Sequence, residues 1–396
     1  MRLVSDEGAV SSGEGDSPCR TAGGFHPRRG NRPLILPQEP YPITKRERLE
    51  ATFTGGTPDR TPVLGGWISC PEHICALTGL TLEEYWDDPE AASIRAYEIL
   101  DTDGLISIAV PATHEDFRIV TRESYAHARL GASLEQAVAQ VDAMASAEEV
   151  AAAWDPEAAW AEFRESLVSW QARCGEMLWM PAQWGGGAAI SWYGTFGYEN
   201  FFMLVAAYPD RARKLVEIGG ATGRQRCLLV ARAVREGLFP HAVLLGEDIC
   251  TQRGPMISPR FMEEHYAPQL RRGLEPLLEV GCRPVWHCDG DVRPLLDMLI
   301  DCGVQGLQGF QPECGLNIDV VSQMRTREGE PLVIFGPLAV TTELPVLPAE
   351  EIKRRVRHAI EVCRGNARLA LFTANTINPD VPLENVRAMY EAAHES

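Results

Sequence analysis

The chain lacks several features that would each have decided its class. No run of about 20 apolar residues occurs, so no membrane-spanning helix is expected. Positive charge is in deficit, with 37 Lys and Arg against 55 Asp and Glu and a formal charge of -18. Such an acidic body repels a phosphate backbone, and no segment supplies a compensating basic face, so nucleic acid is not an expected partner. The GxxxxGK[ST] and GxGxxG spacings are both missing, which removes the phosphate loop and the dinucleotide fingerprint. The eleven cysteines are scattered without a CxxC pair. An odd count with no secretory leader points to reduced thiols in a cytoplasmic setting.

What is present is the composition of a folded globular protein, 45% apolar and 23% charged over 396 residues. Residues 1–40, rich in Gly, Ser, Arg and acids, read as a loose leader, and 41–396 as a single domain. Thr44 and Glu47 have the spacing of a capping box, which opens an N-terminal helix that Gly55, Gly56 and Pro58 end. Residues 82–102 read as helical, with Asp88 and Pro89 as cap and first-turn proline, and LISIAV follows as a buried strand. Around Gly185, Gly186 and Gly187 the pattern is irregular, and a close-packed bend and a substrate-facing loop are both open. From residue 209 onward, strands of four to six residues alternate with helices of ten or more, a period that calls for parallel strands with crossover helices. Polar or glycine residues end each strand, at Glu247-Asp248, His287-Asp289, Gln311-Glu313, Gly336 and Thr373-Asn375. Chemistry gathered from many strand ends is the habit of a closed barrel, so the expected fold is an α/β (β/α)8 TIM barrel with an N-terminal helical extension.

The sharpest cluster is VWHCDG. In a strand, residues i and i+2 share a face, so His287 and Asp289 can look into one cavity while Cys288 faces the helices. An imidazole and a carboxylate so placed suit a divalent metal, zinc or another, or a proton-transfer pair. The plainer alternative makes Asp289 a helix cap and His287 a rim hydrogen-bonder. Glu247 and Asp248 are adjacent and point in opposite directions, so one of them should face the cavity. Glu313 is either a third ligand or base, or an ordinary loop glutamate. His73 and Cys75 would diverge on a helix and cannot chelate together. His114 is a candidate substrate contact, and Tyr193 a pocket or packing aromatic.

The long ordered series from GEDICTQRG through PVWHCDGDVRPLL to GLQGFQP, with NTINPDVPLENVRAMYEA near the C-terminus, resembles the uroporphyrinogen decarboxylase superfamily. The resemblance is close over residues 245–390, looser over 44–244 and absent from the first 40. It implies one of two activities. Decarboxylases of the superfamily bind a polycarboxylate tetrapyrrole through an arginine-rich RQAGR-like loop, but here PVLGGWISCPEH carries no arginine from Pro62 to His73. Arg118, Arg122 and Arg253 are the remaining suppliers. Thiol-directed methyltransferases of the superfamily hold zinc with an HxC pair and a further cysteine. Here those positions read His287, Asp289 and Asn375, so oxygen replaces sulfur. The resemblance is greatest to the corrinoid-dependent demethylase-like branch. It implies transfer of a methyl group from a small methylated substrate to a corrinoid on a partner protein, because the chain lacks the DxHxxG cobalamin motif. His287, Asp289 and Asp248 would be catalytic, and His287, Asp289 and Glu313 would hold a metal. Glu247, Asn375, Tyr193 and His114 would contact substrate. A carboxy-lyase acting on a tetrapyrrole or another carboxylic acid is the alternative activity, a non-catalytic ligand-binding relative a third reading, and a homodimer the expected assembly.

Overall fold

The computed structural model describes residues 42–111 and 133–395. The expected leader and His114, Arg118 and Arg122 lie outside the described residues. The expected capping box is present: the Thr44 side chain accepts from the Glu47 amide, and the Glu47 carboxylate accepts from Thr44. The helix Lys45–Thr54 that it opens precedes the first barrel strand. Asp88 caps the helix Pro89–Ile99, as its position before a proline predicts.

The strands are β1 Leu64–Gly65, β2 Gly104–Leu105, β3 Leu178–Trp179, β4 Gln183–Trp184, β5 Ala242–Gly246, β6 Cys250–Thr251, β7 Gly254–Pro255, β8 Arg283–His287, β9 Gly306–Gln308, β10 Val333–Leu338 and β11 Arg368–Thr373. A six-stranded parallel sheet runs β11-β10-β9-β8-β5-β4, a three-stranded one β1-β2-β3, and β6-β7 is a small hairpin. A parallel bridge from Val63 to Leu371 joins the two parallel sheets. The architecture is that of a (β/α)8 barrel in which ladder pairing is interrupted between β3 and β4, which follow one another along the chain around Pro181. LISIAV, expected as one strand, pairs only at Leu105, because Ser107 turns to φ 55 and leaves the extended region.

Strand alternation divides the apolar residues into two cores. Leu64, Leu178, Leu244, Val285, Phe335, Ala370 and Phe372 form one cluster, into which Leu49 and Phe53 of the N-terminal helix insert. The intervening residues Val243, Leu245, Trp286, Leu307, Ile334 and Leu371 belong to the other cluster, with the helices. The Gly-rich bend lies against that helical layer. A Cβ on Gly219 would meet the Ala189 carbonyl at 1.8 Å, and one on Gly273 the Gly187 carbonyl at 1.7 Å. The bend therefore takes the close-packed alternative left open by the sequence.

At the amino end of β2, Asp103 is completely buried. Its carboxylate accepts from Arg48 Nη1 at 2.6 Å, from Arg60 Nη1 at 2.7 Å and from the Val63 amide at 2.7 Å, while Arg48 also pairs with Asp59. Removing one member of a buried ionic network leaves its partners charged and desolvated. Asp103→Ala is therefore expected to cost about 3–5 kcal/mol, read as a drop in the urea midpoint; a loss under about 1 kcal/mol would show that the network is not a strut of the barrel floor.

Candidate active site at the carboxyl mouth of the barrel

The site is the continuation of strand alternation past the strand ends. On β8 the inward series is Val285, His287, Asp289; on β5 it is Leu244, Gly246, Asp248. His287 stands in register with Gly246 on one side and Gln308 of β9 on the other. Both neighbours make room or contact for it. A Cβ on Gly246 would meet the His287 carbonyl at 2.3 Å, and one on Gly309 (φ 79) would meet His287 Nδ1 at 2.5 Å. The imidazole is only 5% exposed and contacts Trp67 and Trp184 edge-to-face, at centroid distances of 6.0 and 5.2 Å. Trp67 is fixed by donating from Nε1 to the Ile106 carbonyl at 2.8 Å, whereas Trp184 is 41% exposed at the mouth.

His287 Nε2 lies 3.3 Å from Asp248 Oδ1, which also accepts from the Asp289 amide at 3.1 Å. Asp289 Oδ2 accepts from Asn375 Nδ2 at 2.6 Å. Its Oδ1 is buried and, among the described residues, has no hydrogen-bond partner. Ligand atoms of Asp248, His287 and Asp289 all fall within 4.8 Å of one another. Burial opposes charge on His287, but the hydrogen bond and charge of Asp248, with Asp289 and Gln308 behind them, outweigh it and push the imidazole up to about 9. Burial also works against the Asp248 carboxylate, yet His287 holds it below its ordinary range. Burial dominates at Asp289, with His287 opposing, and raises it to about 6. Such a cluster can hold a cation, or keep a proton on His287 between two acids.

The structure brings His287, Asp289, Asp248 and Asn375 together at the mouth. Tyr193 is also drawn in, its hydroxyl donating to the Asp248 carbonyl at 3.2 Å. Two expectations need correction. Glu313 is not part of the triad: β9 ends at Gln308, Glu313 sits in the short turn Pro312–Cys314, and its carboxylate is taken by the Thr341 and Thr342 hydroxyls at 2.9 and 3.5 Å. Asp248 holds the third position instead. Glu247 does not offer a free carboxylate to substrate: it has the outward parity of Val243 and Leu245, and it accepts from the Ile190 and Ser191 amides at 2.6 and 3.1 Å. Gln308, Trp67 and Trp184 were missed. Gln308 alone carried a signal, as the polar residue that ends the strand neighbouring β8.

The model of the family described as uroporphyrinogen decarboxylase matches residues 190–396, slightly more than half of the chain and all of the segment that bears the triad. The chain belongs to the uroporphyrinogen decarboxylase family. A solved structure, a methyltransferase from Methanosarcina mazei, is similar with a TM-score of 0.57 and 17% sequence identity, over 89% of this chain and 99% of that chain. At that identity the likeness is one of fold. No curated protein matches. Among the described residues, no helix is long and apolar enough to cross a membrane.

His73 lies on the helix Pro71–Thr78 and is not one of the triad residues. It is 8% exposed, and its Nδ1 has no partner among the described residues. Burial, partly offset by the charge of Asp380, lowers its pKa from 6.5 to about 4. Between these values the unfolded chain binds a proton that the folded one refuses, so stability falls as pH drops through that window. From pH 7 to pH 5 this group should remove about 2 kcal/mol. Urea unfolding of His73→Leu should show a correspondingly smaller acid loss; an identical loss in both proteins would contradict the assignment.

Proposed function

We propose that this member of the uroporphyrinogen decarboxylase family is a methyltransferase that takes a methyl group from a small methylated substrate and delivers it to a corrinoid carried by a separate protein. The observation that carries this reading is the triad Asp248, His287 and Asp289, set at the carboxyl mouth of the barrel with Trp67 and Trp184 beside it. When a methyl group passes to a nucleophilic acceptor, the carbon–heteroatom bond breaks and its electron pair stays on the leaving heteroatom. That atom needs a proton or a Lewis acid.

His287 is suited to the first role, since Asp248 and Asp289 favour its proton and Nε2 is the ring nitrogen nearest the carboxylates. Proton delivery from Nε2 to the leaving heteroatom balances the charge it gains. The same residues also fit a divalent cation: one imidazole nitrogen, two carboxylates, and a buried Asp289 oxygen that has no partner among the described residues. One nitrogen with oxygens, in place of thiolates, favours a harder cation than a zinc-thiolate site would. A cation held there would act as a Lewis acid on the leaving heteroatom. Trp67 and Trp184 reduce water access to the imidazole, which strengthens its interactions with both acids. Two carboxylates at the centre of the mouth repel a polycarboxylate substrate, which argues against tetrapyrrole decarboxylation.

The test is anaerobic assay with free cob(I)alamin as surrogate acceptor and a panel of methyl ethers, methylamines and methyl thioethers, following methylcobalamin by its absorbance. One substrate class should be turned over, and His287→Ala should lower the rate at least about 100-fold, the low end for loss of a general acid. Turnover unaffected by His287→Ala would remove the triad from the chemistry. Carbon dioxide release from a carboxylic substrate, with no methyl transfer, would favour the decarboxylase alternative.

A further inference from the structure

We propose that Gln308 is the positioning residue that fixes the tautomer of His287 and so makes Nε2 the nitrogen at which the site acts. The inference goes beyond methyl transfer: it concerns the ring itself and holds whichever reaction the site performs. Gln308 ends β9 at the position paired with His287, so the two side chains leave neighbouring strands on the same face. Its Nε2 donates to the Thr373 carbonyl at 2.8 Å and to the Ala374 carbonyl at 2.9 Å. Both hydrogens of the amide are thereby used. Turning the amide over would set its oxygen against two carbonyl oxygens in a buried place, so the orientation is settled by the partners.

The amide oxygen therefore faces His287 Nδ1, in a short hydrogen bond. An oxygen acceptor there requires a hydrogen on Nδ1. Every exchange at the ring, whether a proton given or a cation taken, is consequently confined to Nε2, which faces Asp248 Oδ1 at 3.3 Å. Without Gln308 the preference reverses. In the neutral ring Asp248 would be the strongest acceptor in reach, the hydrogen would move to Nε2, and the lone pair would turn away from the carboxylates. The Gln308 side chain thus ties the ends of β8, β9 and β11 together, and it also acts through His287 without reaching the reacting atoms itself. A metal-binding imidazole held through its other N–H is more basic and better aligned, and loss of such a partner typically weakens metal affinity 10–100-fold.

The proposal is tested with the full chain labelled with 15N-histidine, in the parent and Gln308→Leu proteins, with His287→Gln identifying the His287 signals by their loss. Spectra are taken on the high-pH plateau of the His287 ring shifts, where the ring is neutral, and zinc is the probe for affinity. The parent should show the Nδ1–H tautomer. Gln308→Leu should shift to Nε2–H and bind zinc about 10–100-fold more weakly. Circular dichroism confirms that the variant is folded. An Nε2–H ring in the parent, or an Nδ1–H ring retained in Gln308→Leu, would overturn the proposal. An unfolded Gln308→Leu leaves the decision to the parent spectrum, where an Nε2–H ring overturns the proposal.

Discussion

The site depends on the two-residue period of strands continuing past the point where the ladders end. Because side chains alternate across a strand, β8 sends Val285 into the inner core and then His287 and Asp289 into the mouth above it. On β5 the same rule turns Asp248 toward the imidazole and Glu247 toward the Ile190 and Ser191 amides. Two adjacent acids thus take unrelated jobs, one electrostatic and one architectural. A shift of one residue in the register of β5 against β8 would exchange them.

A buried imidazole between two acids is stable only if the surroundings commit to it. Here they do so sterically as well as electrostatically. Gly246 and Gly309 leave space that any Cβ would fill, Trp67 and Trp184 bound the ring, and Gln308 occupies its second nitrogen. Asp289 is the least satisfied member, with one oxygen given to Asn375 and the other buried without a partner among the described residues. An unmet acceptor in such a place costs free energy that a bound cation or substrate donor would recover. At the amino end of the barrel the opposite arrangement holds: the Asp103 carboxylate is saturated by Arg48, Arg60 and the Val63 amide, and serves as structure.

Much of this was legible in the sequence where signals are local. The alternation after residue 209, the caps at Thr44 and Asp88, and the shared face of His287 and Asp289 all depend on residues a few positions apart. Expectations failed where the outcome depends on path length or on distant partners. Glu313 follows a strand end, as Asp289 does, but its loop runs on for five residues and finds two threonines. The early strands pair over only two residues each, so a run such as LISIAV overstates its extended part. Gln308 owes its role to carbonyls 65 and 66 residues away, and Trp67 reaches His287 across the barrel from another strand end. No periodicity could announce those contacts.

The central claim is that Asp248, His287 and Asp289 act as one binding and catalytic unit. Its most direct measurement is an anomalous-scattering map of crystals soaked in manganese or zinc, with His287→Ala crystals treated identically. The account predicts a peak within coordination distance of His287 Nε2 and both carboxylates in the parent, absent from the variant. A peak elsewhere, or one at the triad that persists without the imidazole, would contradict it.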